Sequence, residues 1–177
     1  YAILETSGYL DRFNEALQTS TLKLSEESIP SYLRLLVERA GISAKHAVAS
    51  VPAFLAFSTL IETPPMSDAE LKRFIELQAK QYIALHMSAV SLDWMRIGER
   101  ADGAGGVKQQ VLLVSIPNDQ IERYRKVFTA AGLALTSVEI EGMSLARALT
   151  VSGKETTLVI DIGSRSTSFS IATGGFL

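Results

Sequence analysis

The sequence predicts an α/β fold, and three observations carry that prediction. Apolar runs of strand length recur, as in VLLVSI at 111–116 and LVI at 158–160; stretches with apolar residues at helical spacing lie between them; glycine or proline marks most joints. A chain of 177 residues, 47% hydrophobic and 20% charged, suits one globular domain or two small ones sharing a sheet. Cysteine is absent, which excludes a disulfide framework and a thiolate metal site and fits a reducing cytoplasm. A net charge of -2 argues against a nucleic-acid or anionic-membrane surface. No apolar run is long enough to span a bilayer, so no direct membrane insertion is expected and any membrane association needs a partner.

In chain order, residues 1–10 (YAILETSGYL) are expected as a strand and residues 11–23 as a loop or short helix. Ser25 or Ser28 offers an N-cap for a helix whose stripe is Ile29, Tyr32, Leu33, Leu36, Val37 and Ala40, with Pro30 tolerable in the first turn and Gly41 as the stop. Residues 46–51 read as a strand ended by Pro52, and residues 53–62 (AFLAFSTLIE) as the next strand. Ser67 and Glu70 have capping-box spacing, with Met66 and Leu71 at the staple positions. The helix that follows carries Leu71, Phe74, Ile75, Gln78, Ala79, Tyr82 and Ile83 on one side and Lys72, Arg73, Glu76 and Lys80 on the other.

From residue 90 the period shifts to two, with Val90, Leu92 and Trp94 on one face. Residues 99–106 (ERADGAGG) read as a hairpin loop leading into the strand at 108–116, which is apolar enough to be covered on both faces. Pro117 and Asn118 open a helix with the stripe Ile121, Tyr124, Val127, Phe128 and Ala131, stopped by Gly132. A strand at 133–140, a short helix at 142–149 and a hairpin from residue 156 complete the pattern.

That hairpin holds the main chemical motif. A strand end sets Asp161 at a sheet rim, Gly163 allows close backbone approach, and Ser164, Ser166 and Thr167 offer hydroxyls and amides to an anion. Arg165 sits where its charge can meet a phosphate; a plain polar hairpin is the competing interpretation. His46 and His86 lack partners at metal-ligand spacing, and no nucleophile elbow is present. The large residues Phe54, Leu55 and Phe57 exceed what a half-exposed strand needs. They fit either a groove for an extended peptide or packing onto the helix bearing Phe74 and Tyr82.

The motif DIGSRSTSFSI resembles the second phosphate loop of the superfamily of actin, heat-shock chaperones and sugar kinases. Four upstream blocks narrow the match: VASVP at 48–52, TPPMSDAELKRFIELQAKQYI at 63–83, SLDW at 91–94, and VLLVSIPNDQIERYRKVFTAAGLALTSVEIEGMSLARAL at 111–149. In this order and spacing they resemble the type IV pilus assembly protein PilM family, related to the cell-division protein FtsA. The resemblance covers most of the chain from about residue 25.

This resemblance implies an actin-like (RNase H-like) frame with an inset strand-helix-strand-strand (SHS2) domain, subdomain 1C. Residues 1–52 and 108–155 would then form the two parts of subdomain 1A, 53–107 the inset, and 156–177 the start of subdomain 2A. Both ends read as cut, so a fragment is expected. The implied function is a cytoplasmic scaffold of pilus assembly, peripheral to the inner membrane through its partner. It would hold the N-terminal peptide of a PilN-like inner-membrane protein, through Phe54, Leu55 and Phe57, with self-association as a further option. ATP and Mg are implied for the complete protein, bound by Asp161, Gly163, Ser164, Arg165, Ser166 and Thr167, with Asp161 reaching the metal through water. A phosphotransferase of the same superfamily is the alternative. Such an enzyme needs a catalytic base near the phosphates, and the sequence offers no recognisable one.

Overall fold

The computed structural model describes residues 2–3, 27–103, 105–150, 155–162 and 167–177. The expected elements at 1–10 and 11–23 lie outside these, apart from Ala2 and Ile3, which belong to no regular element. The described elements run α1 (Ile29–Arg39), β1 (His46–Val51), β2 (Phe57–Thr63), α2 (Asp68–Tyr82), β3 (Val90–Ala101), β4 (Val107–Pro117), α3 (Asn118–Ala130), β5 (Ala134–Ile140), α4 (Glu141–Leu149), β6 (Thr156–Ile162) and β7 (Thr167–Thr173). Short 3₁₀ turns at Ala53–Leu55 and Met87–Ala89 precede β2 and β3. The result is a mixed α/β chain whose residues gather into two compact units.

One unit contains α1, most of β1 and β5, and most of α3. The stripe of α1 is half-buried at Ile29, Tyr32, Leu33, Leu36 and Val37, while Leu35, off the stripe, is exposed. Ala40 departs from the expected stripe and is exposed, because the helix ends at Arg39 and turns at Gly41. Ser28 is the N-cap residue but makes no side-chain capping bond, since its backbone is already helical (φ -87, ψ -26). Gly41 (φ +65) and Gly132 (φ +80) take the left-handed conformation that closes helix ends, the second where Leu133 N–H donates to Phe128 O (2.9 Å). β1 and β5 form a two-stranded sheet, entered where Ala134 N–H donates to Lys45 O (2.8 Å) and steadied by Thr136 Oγ1 donating to Ala47 O (3.0 Å).

The other unit is built on a three-stranded antiparallel sheet in the order β2-β4-β3. Each face of the central strand fills a different core. Val111 and Leu113 pack with Ile61, Val90, Leu71, Ile75, Ala79 and Ile83, joined by the half-buried Met66, Phe74, Leu92 and Trp94. On the opposite face Leu112 packs with Ile140 and Met143, together with Ala56, Ile97, Val114 and Leu177. The continuous apolar run of β4 is therefore covered on both sides, as its composition requires.

Helix α2 begins with a complete capping box. Ser67 Oγ accepts from Glu70 N–H (3.4 Å), and Glu70 Oε2 accepts from Ser67 N–H (2.9 Å) and from Ser67 Oγ (2.7 Å). These bonds to Ser67 hold the Glu70 carboxyl below the usual carboxylate range. The helix start is tied to β3 by Arg96, which pairs with Asp68, donates to Met66 O (3.0 Å) and lies 5.7 Å from the Trp94 ring centroid. Tyr82, expected on the buried stripe, is exposed because it is the last helical residue; Ile83, the C-cap, turns inward instead.

Two expectations about segment boundaries are corrected. Residues 53–55 do not extend β2 but form a 3₁₀ turn, in which Leu55 N–H donates to Pro52 O (2.9 Å) and Ala56 N–H to Ala53 O (3.2 Å). Proline at position 52 fixes φ at -56 and starts the turn, which explains why Phe54 breaks strand alternation. The loop expected at 99–106 is shorter, because β3 runs to Ala101 with a register shift between Arg96 and Gly98. Asp102 closes it by donating its N–H to Gly106 O (3.0 Å) and accepting Gly106 N–H at Oδ1 (2.7 Å). At Gly174-Gly175 the chain makes a tight turn with both glycines at positive φ. The chain folds back there, with Thr173 and Phe176 exchanging backbone bonds (2.8 and 3.1 Å) and Gly175 N–H donating to Thr150 Oγ1 (2.8 Å).

The end of β5 is clamped to α4 by a two-bond pair, Arg147 Nη1 and Nη2 donating to Glu139 Oε2 and Oε1 at 2.8 and 2.7 Å. Bonding to Arg147 holds the Glu139 carboxyl below its ordinary range against a smaller opposing effect of burial, and the pair raises Arg147. A depressed carboxyl contributes stability above its unfolded value and loses that contribution as pH falls through the folded value. Thermal melts below about pH 5, where glutamate titrates, are expected to show a shallower acid decline in Glu139→Gln than in the parent. The pair is solvent-exposed, so the difference is small and shrinks with added salt.

Candidate functional site

Two regions concentrate features that suit binding. The first begins at the 3₁₀ turn that Pro52 starts. There Phe54 and Leu55 line a shallow depression of about 420 Å³ together with Leu85, Ala89, Pro117, Asp119 and Gln120. Phe54 is 62% exposed and Leu85 is also exposed, so the walls are apolar side chains facing solvent and not core residues.

A hydrogen-bond chain fixes two of these walls. Ser88 N–H donates to His86 Nδ1 (3.4 Å), and the Ser88 hydroxyl lies 2.8 Å from the same nitrogen, which shapes the turn holding Ala89. Asn118 Nδ2 donates to Ser88 O (3.0 Å), and Asn118 Oδ1 accepts from Ser91 Oγ (2.7 Å). The turn before β3 is thereby held to the first residue of α3, beside Pro117 and Asp119. At the rim, the Asp119 carboxylate accepts from Gln120 N–H (2.9 Å) and from Gln120 Nε2 (3.2 Å). The depression therefore combines an apolar floor with one anionic, hydrogen-bonded edge.

The expected set Phe54, Leu55 and Phe57 is only partly gathered. Phe57 lies outside the lining of this depression, as the first residue of β2 opposite Ser115, and is 37% exposed. Among the described residues β2 pairs with β4 on one side only, so Phe57 stands on an edge strand of the described sheet. The other wall residues, Leu85, Ala89, Pro117, Asp119 and Gln120, were not singled out from sequence as binding residues. Their signal is only the contiguity of helix end, turn and strand end in three dimensions.

The second region is the β6–β7 hairpin. Its strands form a two-stranded sheet whose inner face, Val159 and Ala172, packs on Ala146 and Leu145 of α4. Asp161 is half-buried near the end of β6, and Thr167 is exposed as the first residue of β7. Gly163, Ser164, Arg165 and Ser166 lie outside the described residues. Among the described residues no group of three histidine or acidic side chains could hold a metal ion, and one carboxylate and one hydroxyl remain from the expected set.

Comparison with known proteins gives three findings. The model of the family described as type IV pilus assembly protein PilM matches residues 14–176. A solved PilM-PilN type IV pilus biogenesis complex matches with a TM-score of 0.70 and 20% identity, covering 84% of this chain and 45% of that one. The cytoplasmic domain of EpsL, an inner-membrane component of the type II secretion system of Vibrio cholerae, matches at 0.54 and 14% identity, covering 82% of this chain and 56% of that one. The chain thus spans about half the length of these solved relatives, and at such identities the likeness is one of fold.

Proposed function

Because the chain belongs to the type IV pilus assembly protein PilM family, we propose that it acts as a cytoplasmic, actin-like scaffold of the pilus machinery, holding the N-terminal peptide of a PilN-like inner-membrane protein. The single observation that carries this reading is the apolar depression walled by Phe54, Leu55, Leu85, Ala89 and Pro117. Peptides bind such surfaces by placing alternate apolar side chains in pockets or by adding a strand to an exposed edge. Both routes are at hand, since the depression lies at the turn that leads into the edge strand β2. The carboxylate of Asp119 at the rim favours a peptide carrying a basic residue beside its apolar anchor.

In this proposal β2, α2, β3 and β4 make up the inset strand-helix-strand-strand domain, which moves its end from residue 107 to the end of β4; the flanking elements belong to subdomain 1A, and the β6–β7 hairpin opens subdomain 2A. Attachment to the membrane through the partner is part of the proposal; no described helix is long and apolar enough to cross a membrane. Titration of the chain with a synthetic N-terminal peptide of a PilN-like protein tests the assignment. Phe54→Ala is expected to weaken binding roughly tenfold, as a truncated anchor does. Its melting temperature should hardly change, because the ring is mostly exposed. Phe57→Ala is expected to weaken binding less, with a stability loss below the about 3 to 5 kcal/mol of a buried aromatic truncation. Unchanged peptide affinity in both variants would exclude this surface.

The hairpin is proposed to face nucleotide in the whole protein. Asp161 would act on the water shell of Mg²⁺, and residues 163–166 with Thr167 would meet the phosphates. Bound Mg·ATP would supply the negative charge that such hydroxyls and amides hold. A clamp represented by one loop excludes water poorly, so this chain is expected to bind Mg·ATP weakly in calorimetry, and more weakly still as Asp161→Ala. Tight binding that ignores Asp161→Ala would remove the site.

A further inference from the structure

The chain holds two histidines, and one of them is built into a wall of the peptide depression. His86 is the N-cap of the 3₁₀ turn Met87–Ala89, where Ser88 N–H donates to its Nδ1 (3.4 Å) and the Ser88 hydroxyl lies 2.8 Å from the same nitrogen. It stands between Leu85 and Ala89, which both line the depression. Only a neutral ring with a bare Nδ1 accepts that backbone N–H, because an imidazolium offers donors alone. The protonated nitrogen still donates to the Ser88 hydroxyl, but it meets the Ser88 N–H donor to donor. A second wall is linked to the same turn, since Ser88 O accepts from Asn118 Nδ2 (3.0 Å) at the start of α3, beside Pro117 and Asp119.

We propose that His86 is a proton-sensitive cap that sets the shape of the depression: the neutral ring holds the turn, and the imidazolium releases it. As regulation of peptide binding this rests on the function proposed above; as a change in the turn it does not. A second effect of protonation has the same sign. It places a positive charge between two lining residues, opposing the basic residue that the Asp119 carboxylate favours in the peptide. The charged groups at the element ends that meet here are Lys80 in the last turn of α2, Asp93 early in β3, and Asp119, Glu122 and Arg123 early in α3; the turn at 53–55 carries none. Asp93 accepts from Trp94 N–H, Asp119 from Gln120 and Glu122 from Arg125, so their described bonds go elsewhere and Nδ1 is left to Ser88. Peptide affinity therefore falls as pH drops through the range in which histidine gains its proton.

NMR of the peptide-free 177-residue chain follows the His86 ring, the Ser88 amide and the Asn118 side-chain amide from about pH 8 to about pH 5.5, a span in which histidine changes charge and aspartate stays ionised. The Ser88 and Asn118 signals are expected to move with the same midpoint as the His86 ring. In parallel, the synthetic N-terminal peptide of a PilN-like protein, with any histidine replaced, is titrated at both ends of that span. Affinity is expected to fall roughly three- to tenfold at the lower pH, the scale of losing an N-cap. His86→Asn keeps a neutral acceptor and should hold the higher affinity at both pH values. His86→Ala has no acceptor and should bind more weakly than the parent at the higher pH and show no further drop, while His46→Gln leaves the drop intact. Ser88 and Asn118 signals that stay still while the His86 ring titrates would overturn the proposal, and so would a drop in affinity that survives His86→Asn. A peptide that binds at neither pH would remove the function proposed above, while the peptide-free spectra still decide whether the cap responds to protons.

Discussion

The burial of β4 on both faces is the constraint on which the larger unit depends. Val111 and Leu113 are fully buried against α2 and the inward faces of β2 and β3, while Leu112 reaches Ile140 and Met143 on the other side. Alternation of side chains along one strand therefore couples two hydrophobic clusters, to which β3 also contributes through Val90 and Ile97. The same strand ends at Pro117, where β4 passes directly into α3 and one wall of the peptide depression is set. A shift of β4 by one residue would exchange the two buried rows and displace Pro117, Asn118 and Asp119 together.

Much of this was legible because the signals are local. The capping box at Ser67 and Glu70, the glycine stops at Gly41 and Gly132 and the both-faces composition of 111–116 each encode a boundary within a few residues. Where the sequence misled, a neighbouring residue outweighed the wider pattern. Residues 53–62 have the composition of one strand, but the fixed φ of Pro52 starts a turn, and the strand begins four residues later at Phe57. Glycines at 103–106 suggested a long loop, yet Asp102 bonds across to Gly106 and lets β3 continue to Ala101.

The candidate site was less legible than the fold. Phe54 and Leu55 drew notice because such large apolar residues exceed what a half-exposed strand needs, and they lie instead in a 3₁₀ turn that leaves Phe54 exposed and Leu55 half-buried. Leu85, Ala89, Pro117, Asp119 and Gln120 carry no motif; they meet because the β3–β4 register sets Val90 opposite Pro117 and Asn118 bonds the turn at 87–89 to the start of α3.

Native-state hydrogen exchange along β4 tests the central role of that strand most directly. If β4 is the shared wall of both clusters, amides at 111–115 exchange only through the opening that unfolds the whole larger unit, with the same denaturant dependence as the slowest amides of α2. Exchange of those β4 amides through a smaller opening, while α2 remains protected, would contradict the account.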